Sequence, residues 1–250
     1  MSRPPTLLQA RWSQVLNRLV VIPSDDDAAN LVDELAAGRQ PRMLAFVNAH
    51  AMNSAVGDLE FYRALCDADV LLRDGSGMAM LFRMLDGEPG LNMNGTDFIP
   101  QLLAAYRGRR VALWGTREKW LAAAAARCAE EFGVEIVSCE NGFQPPEYYC
   151  DAMRRTRPEL IVLGMGMPRQ ESVARLVRAT AAGAPLIVCG GAVIDFLGGK
   201  VERAPRWVRR AGMEWAYRLV REPRRLFLRY VIGNPLFMLR AWRCRAAWAR

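Results

Sequence analysis

Residues 160–191 read LIVLGMGMPRQESVARLVRATAAGAPLIVCGG, and the class of fold follows from them. Two short apolar runs, 160–164 and 186–190, are rich in Leu, Ile and Val, and each ends in glycine. Between them, residues 169–182 have the apolar spacing of a helix. A strand, a helix and a second strand joined by short links predict two parallel strands with a helix packed against them.

The same alternation runs through the first four-fifths of the chain. Further strands are predicted at 43–47, 70–72, 110–114 and 134–138, and the clearest further helix at 117–132. This pattern predicts an α/β fold, a Rossmann-like parallel sheet with helices on both faces. It ends at GGKVERAP (198–205), after which the sequence is helical and basic. We therefore predict an α/β domain over residues 1–200 and a basic amphipathic C-terminal appendage over residues 201–250.

The two regions differ in charge. The chain carries a formal net charge of +8, yet residues 200–250 hold fourteen Lys or Arg against three acids, and residues 1–199 have a small excess of acids. A mildly acidic body with a strongly basic end indicates an anionic partner for that end. Nucleic acid, an anionic membrane surface and a phosphorylated substrate are the candidates. The many aliphatic residues there and the lack of a recognisable nucleic-acid-binding module argue against nucleic acid.

Several classes of protein are excluded by missing motifs. GMGMPR departs from the GxGxxG dinucleotide motif, no GxxxxGK[ST] phosphate loop is present, and the single histidine, His50, leaves little for a Ser/His triad. No cofactor is therefore expected. Six cysteines without CxxC or zinc spacing are typical of a reduced, cytosolic chain. No apolar run approaches the roughly 20 residues that span a bilayer, so we expect the chain to lie on a membrane rather than cross it.

Glycines and polar residues follow the ends of the predicted strands. Ligands bind parallel sheets at this carboxyl edge, and free backbone N–H groups at helix starts there favour phosphate. The candidate residues are Asn48, Asp74, Gly75, Gly115, Gly166 and Gly190. One such loop is ordinary turn chemistry, whereas five together favour a ligand site.

Asp74 is the one acid of interest at this edge. Its carboxylate is either a general base or a cap for the helix that begins near Ser76, and the residues alone leave both readings open. Asp67-Ala68-Asp69 resembles the DxD metal motif of sugar-nucleotide transferases, but it precedes its strand and so falls at the opposite edge of the sheet. We read it as a solvated turn and predict no metal site.

Taken in order, these loops resemble the WecG/TagA/CpsF family of bacterial glycosyltransferases. The matching segments are Asn48-Ala49, DADVLLRDGSGMAM (67–80), NGTD (94–97), GMGMPRQE (164–171), CGGAVIDFLGGKVERAP (189–205) and GMEWAYRLVREPRR (212–225). They cover the chain from about residue 43 to 230. The combination of PRQE, RAP and EW-YRL-EP-R at these spacings is specific, although any one of them alone is weak.

The resemblance implies a function. Family members transfer a sugar from a UDP-sugar to a sugar linked to a polyprenyl diphosphate, at the cytoplasmic face of the inner membrane, with inversion and without a metal. It implies that Asp74 is the catalytic base, that Asn48 and Gln170 lie in the substrate pocket, and that arginines of the appendage, best matched by Arg218 and Arg225, reach the diphosphate. The remaining substrate-binding candidates from the matched segments are Asn94, Gly95, Thr96, Asp97, Glu171, Arg203 and Arg224.

Two departures bear on the donor sugar. Phe46 stands where many members have Thr, and the segment LNMNGTD (91–97) lacks an Arg that many members have. Together with FVNAHAMN (46–53), this segment looks more like the exopolysaccharide, GumM-like branch, so we predict a β-1,4-glucosyltransferase that uses UDP-glucose. An N-acetylmannosaminyl transferase of the same family and a non-catalytic nucleotide-binding module are the alternatives.

The C-terminal region combines positive charge with apolar mass. The segment LFLRYVIGNPLFMLRAW (226–242) follows the arginines of 218–225 and is typical of helices that lie in the interface of anionic bilayers. Pro223 and Pro235 are predicted to break it into short helices. We predict a phosphate clamp at 218–225 and a peripheral membrane contact beyond it. An exposed apolar surface of this kind also predicts self-association into a homo-oligomer when no membrane is present.

Overall fold

A computed structural model describes residues 6–181 and 183–248 of the chain. Within these ranges the sheet has seven strands, all parallel: β1 (Leu19–Val20), β2 (Arg42–Val47), β3 (Val70–Arg73), β4 (Arg110–Gly115), β5 (Glu135–Glu140), β6 (Leu160–Gly164) and β7 (Leu186–Cys189). Their order across the sheet is β1-β3-β2-β7-β6-β4-β5. The carboxyl ends of β2, β3, β6 and β7 therefore lie side by side.

Helices connect the strands and then continue to the C-terminus. The connecting helices are α1 (Leu7–Asn17), α2 (Asp25–Ala36), α3 (Ala49–Gly57), α4 (Leu59–Asp67), α5 (Ser76–Met84), α6 (Gly95–Ala105), α7 (Glu118–Phe132), α8 (Pro146–Thr156) and α9 (Arg169–Thr180). After β7 come α10 (Val193–Leu197), α11 (Arg206–Arg210), α12 (Glu214–Arg221), α13 (Pro223–Phe227), a π-helical turn (Leu228–Ile232) and α14 (Gly233–Trp248).

The predicted α/β fold is confirmed, and the burial of the strands explains why they can be recognised in the sequence. Leu160 and Val162 face one apolar cluster, while Ile161 and Leu163 face the other. Successive side chains of a strand point to opposite faces, so a strand covered on both faces reads as one continuous apolar run. The cluster on one face is completed by α1, α3, α4, α8 and α9, and that on the other by α2, α6 and α7.

The predicted ends differ from the observed ones by one or two residues. The helix predicted over 169–182 ends at Thr180, and residue 182 lies outside the described residues. The prediction missed β1, because its two residues are too few to show any periodicity. The proposed division near residue 200 stays a prediction. In the described part of the chain, Phe237 of α14 is buried 5.3 Å from the ring centre of Trp12 in α1, so the last helix packs into the core of the body.

The prediction that Pro235 breaks the C-terminal segment is wrong. Helical backbone runs on from Pro223 to Trp248, and Pro235 lies in the first turn of α14. Proline has no backbone N–H, so it removes one helical hydrogen bond at this position without ending the helix. The preceding π-helical turn is wider than an α-helical one and leaves room for the ring. Pro223, by contrast, begins α13, as expected for a proline at a first helical position.

Candidate active site

A cavity of about 1040 Å³ lies over the carboxyl edge of the sheet and under the C-terminal helices. The predicted site residues in its wall are Asn48, Asp74, Gly75, Asn94, Gly95, Thr96, Gly166, Gln170, Gly190, Arg218 and Arg225. The predicted site residues outside that wall are Asp97, Gly115, Glu171, Arg203 and Arg224. Loops that follow four different strands thus meet one face of the cavity, and arginines of the appendage meet another.

Asp74 lies directly after β3 and lines the cavity. Its backbone N–H donates to the carbonyl of Val47 at 2.9 Å, which continues the pairing of β3 with β2 for one residue. The Asn48 side chain donates from Nδ2 to Asp74 Oδ2 at 3.2 Å and, through Oδ1, caps α3 by accepting from the Ala51 N–H. Asn48 is therefore held by its own helix in the orientation that contacts the carboxylate.

The pKa of Asp74 is raised above its usual value. Burial is the largest cause, and it is partly offset by the hydrogen bond from Asn48 and by the charges of Arg229, Arg218 and Arg73. A more basic carboxylate accepts a proton more readily. The reading of Asp74 as a cap for α5 loses support, because Gly75 occupies the cap position and no side chain caps that helix.

The turn that presents Asp74 is held from below by Arg73, which is buried. Its guanidinium donates to the carbonyls of Pro89 at 2.7 Å, Gly90 at 3.0 Å and Gly75 at 3.1 Å. Gly75 has φ 87°, a left-handed conformation that favours glycine. Its N–H donates to Oδ1 of Asn92 at 2.7 Å, so Asn92 of the segment 91–97 helps to shape this turn.

Gln170 and Glu171 link two glycine loops beside the cavity. The Gln170 carbonyl oxygen accepts from the N–H of Gly166 at 3.2 Å and of Gly191 at 2.9 Å. Its Nε2 donates to Oε1 of Glu171 at 2.8 Å. Glu171 is completely buried, and burial raises its pKa to about 7. Gly115 has a packing role, since a Cβ there would lie 2.5 Å from the backbone of Gly164.

Asp97 and Arg203 pair with each other behind the cavity. Asn94 caps α6 through the Asp97 N–H, and Arg203 contacts the Asp97 carboxylate at 2.6 Å, with Arg209 at 3.6 Å. Burial alone would raise the pKa of Asp97, but the hydrogen bonds from Arg203 and Asn94 outweigh it and hold the pKa below its usual value. This pair therefore ties the start of the appendage to α6.

The arginines of the appendage fall into two groups. Arg218 and Arg229 line the cavity, lie over the rings of Phe196 and Tyr230 respectively, and have a buried Nε with no hydrogen-bond partner among the described residues. Arg225 also lines the cavity, but it is exposed and pairs with Glu222. Arg224 is exposed and lies outside the wall. Of these four arginines, Arg218 and Arg229 are therefore the two that line the cavity with partly buried side chains.

Sequence reasoning missed three further residues in this wall. Arg229 was passed over because the motif ends at residue 225. His50 was judged structural, yet it lines the cavity, and burial and the charge of Arg229 lower its pKa to about 4, so it is neutral at pH 7. Asp195 lines the wall and accepts from Thr116 at 2.5 Å and Lys200 at 3.0 Å. The position of Asp195 shortly after β7 is the one feature of the sequence that could have indicated it.

The described ranges contain neither a cluster of metal-ligating side chains nor a membrane-spanning helix. Among these residues, no three His, Cys, Asp or Glu side chains are grouped as the ligands of a metal ion would be. Over the same ranges, no helix combines the length and the apolar character needed to cross a bilayer.

Comparison with known proteins points to one family. A family model described as "Glycosyl transferase WecG/TagA/CpsF family" matches residues 14–250. An N-acetylglucosaminyldiphosphoundecaprenol N-acetyl-β-D-mannosaminyltransferase of Bacillus subtilis (strain 168) is 26% identical over 185 residues, which is 72% of each chain. A protein of the same name from Bacillus spizizenii (strain W23) is 27% identical over 175 residues, which is 68% of each chain.

Proposed function

The chain belongs to the WecG/TagA/CpsF family of glycosyltransferases, and on that premise we propose that it moves one sugar from a UDP-sugar to a polyprenyl-diphosphate-linked sugar with inversion. The observation that carries the proposal is the arrangement of Asp74 with Asn48 in the same cavity that Arg218 and Arg229 line. Such a site offers a proton acceptor and fixed positive charge.

Asp74 acts as the general base. The acceptor hydroxyl attacks the anomeric carbon, its proton passes to an Asp74 carboxylate oxygen, and a new C–O bond forms. The bond from the anomeric carbon to the β-phosphate oxygen breaks, and its electron pair leaves with UDP. Asn48 keeps the carboxylate oriented through its 3.2 Å hydrogen bond. A single displacement of this kind inverts the anomeric centre.

Arg218 and Arg229 stabilise the departing UDP. Negative charge grows on the β-phosphate as the bond breaks, and guanidinium groups in a partly desolvated cavity stabilise it without rearranging. Their charges already lower the pKa of Asp74, which supports their closeness to the reacting centre. Transfer in the presence of EDTA is therefore expected.

A lipid-linked acceptor suits the mouth of the cavity. Leu228, Ile232 and Leu236 line the cavity and are also exposed, so its opening joins an apolar outer surface. That surface continues along one side of the last helical segment, where the residues that share the exposed face are Phe227, Val231, Leu239 and Trp242. We propose that this face lies in the interfacial region of an anionic membrane and places the acceptor's diphosphate at the cavity. The same face would drive self-association in water.

The membrane contact is tested by changing three exposed apolar residues outside the cavity wall. Replacing Phe227, Leu239 and Trp242 by Ser together should weaken binding to anionic liposomes at least tenfold, because three apolar side chains no longer enter the interface. The control variant carries Ser at three exposed apolar positions of the body, Leu7, Val20 and Leu59. Co-sedimentation measures both. Equal binding by the two triple variants would contradict the proposed membrane face.

The donor sugar is the finer part of the proposal. The two relatives are named as N-acetylmannosaminyl transferases, which supports UDP-N-acetylmannosamine over the UDP-glucose that the segment 91–97 predicted. A glucosyltransferase of exopolysaccharide synthesis remains the second candidate, because Phe46 stands where many family members have Thr and the segment 91–97 lacks the Arg that many of them carry.

A donor panel tests this choice. Purified protein in anionic liposomes with EDTA is given radiolabelled UDP-N-acetylmannosamine or UDP-glucose, with polyprenyl-diphosphate-linked N-acetylglucosamine or glucose as acceptor. We expect transfer from UDP-N-acetylmannosamine to the N-acetylglucosamine acceptor, at least tenfold faster than from UDP-glucose to either acceptor. Faster transfer from UDP-glucose would establish the glucosyl reading instead. Transfer from neither donor would contradict the proposed function as a whole.

A further inference from the structure

Gln170 has almost no free hydrogen-bonding capacity left for a substrate. Its side chain is 1% exposed, although it borders the cavity. Its oxygen accepts from two backbone N–H groups, those of Gly166 and Gly191, and its Nε2 donates to Glu171. An amide has two acceptor sites and two donor hydrogens. Both acceptor sites and one donor hydrogen are therefore engaged within the protein.

The two N–H groups belong to loops that follow neighbouring strands. Gly166 lies in the loop after β6 and Gly191 in the loop after β7, and both have positive φ, 78° and 61°. Both loops line the cavity, and their glycines there, Gly164, Gly166, Gly190 and Gly191, can contribute only backbone to its wall. One amide oxygen thus holds together two glycine loops whose backbone forms part of the cavity wall.

Glu171 determines which way the Gln170 amide faces. Oε1 of Glu171 accepts this hydrogen bond whether or not the carboxyl group carries a proton on Oε2, so it holds the Gln170 NH₂ toward itself and the Gln170 oxygen toward the glycines. Without it, the amide could turn over and present its NH₂ to two N–H donors. Glu171 is completely buried, and its Oε2 has no hydrogen-bond partner among the described residues. Burying a carboxylate in this way is costly, and orienting the amide is the use that its contacts indicate.

We propose that Gln170 and Glu171 are positioning residues, which shape the donor diphosphate site through the backbone of the two glycine loops and do not themselves touch the sugar nucleotide. This inference rests on the proposed function for the identity of the ligand. It differs from the expectation that Gln170 and Glu171 bind substrate directly.

Exchanging the two side chains tests the inference. In Gln170→Glu, a carboxyl oxygen replaces Nε2 and faces the Glu171 oxygen at about the 2.8 Å of the present contact, so at the alkaline pH chosen for the measurements, where the pair no longer shares a proton, two acceptors oppose each other. Adding Glu171→Gln reverses the polarity: the new amide at 171 donates to the new carboxylate at 170, which still accepts from both glycines. The double variant keeps the side-chain volumes and restores every hydrogen bond. It does not restore an amide at 170 for a substrate.

Two readouts separate loop positioning from substrate contact. Hydrogen exchange of segments 164–168 and 189–192, measured by mass spectrometry, should quicken at least fivefold in Gln170→Glu and return to the wild-type rate in the double variant. The dissociation constant of UDP, measured by calorimetry, should rise about tenfold and then return to within about threefold of wild type.

Each of the following results would support or overturn the positioning role of Gln170 and Glu171. A double variant that is no better than Gln170→Glu would overturn the proposal, as would wild-type exchange in Gln170→Glu. If Gln170→Glu does not fold, recovery of folded protein by the second change supports the coupling, and lack of recovery overturns it. If the wild-type protein does not bind UDP, the donor in the proposed function is wrong, while the exchange measurements still judge the positioning role.

Discussion

Replacing Asp74 by Asn is expected to lower kcat for sugar transfer about 10³-fold while UDP binding stays within about threefold of wild type. General-base catalysis typically contributes 10²–10⁴-fold, and the amide cannot accept the proton of the acceptor hydroxyl. The change is close to isosteric and keeps an oxygen that can accept the 3.2 Å hydrogen bond from Asn48, so the cavity should keep its shape. Transfer is measured with saturating donor, and UDP binding by calorimetry.

The pH dependence gives a second signature of this base. Because the pKa of Asp74 is raised in the folded protein, lowering the pH protonates the carboxylate at a higher pH than for an ordinary Asp. The wild-type kcat/KM should therefore fall on the acid side, through that raised pKa, and the Asn variant should lose this limb.

Asp67→Asn is the matched control for this change. Asp67 lies at the opposite edge of the sheet, where it pairs with Arg175 at 2.6 Å. This variant should retain kcat within about twofold. A low rate in Asp67→Asn, or an Asp74→Asn enzyme with near wild-type turnover and an unchanged pH profile, would remove Asp74 from the role of base.

Arg229→Gln is expected to lower kcat about 10²-fold, whereas Arg224→Gln leaves it within about twofold. Loss of one preorganised donor to a developing oxyanion typically costs 10²–10³-fold. Arg229 lines the cavity with a partly buried side chain, while Arg224 is exposed and outside the wall. The two variants remove the same charge from the same basic segment, so general attraction to an anionic membrane cannot explain a difference between them.

Arg229→Gln also predicts a direction of change in the pH profile. The Arg229 charge lowers the pKa of Asp74, so its removal raises that pKa and moves the acid limb of kcat/KM to higher pH. Removing the same charge should also raise the pKa of His50 above its present value of about 4. A profile that does not move, or equal losses in Arg229→Gln and Arg224→Gln, would show that Arg229 does not act at the reacting centre.

What could be predicted from the sequence of this chain depends on how far apart the interacting residues lie along it. Asn48 and Asp74 could be placed together because each follows a strand, and parallel strands end at a common edge. Asp97 and Arg203 could not be recognised as partners, because 105 residues separate them along the chain and only the docking of the appendage brings them to 2.6 Å. Glu171 was likewise predicted to bind substrate, because its complete burial does not show in the sequence.

The arginine-rich segment illustrates the same limit. Arg218, Arg224, Arg225 and Arg229 are equivalent in charge, and neighbours along a helix point in different directions. Which of them reach the cavity depends on how α12 and the π-helical turn pack against the body, where Phe237 and Ala241 of the next helix are buried. The sequence named the segment that carries the positive charge and, through the family resemblance, Arg218, but nothing in it singled out Arg229.

The sequence by itself determined the parallel sheet, the edge at which the site lies, Asp74 as the acid there and the family. Each of these depends on the order of apolar and polar residues within a strand, a turn or a motif. The tertiary structure alone decided that Arg229 lines the same cavity as Asp74, that Asp97 pairs with Arg203, and that Gln170 holds two glycine loops while it donates to Glu171. Those relations depend on burial and on distances between residues far apart in the chain, and both arise only when the helices have packed.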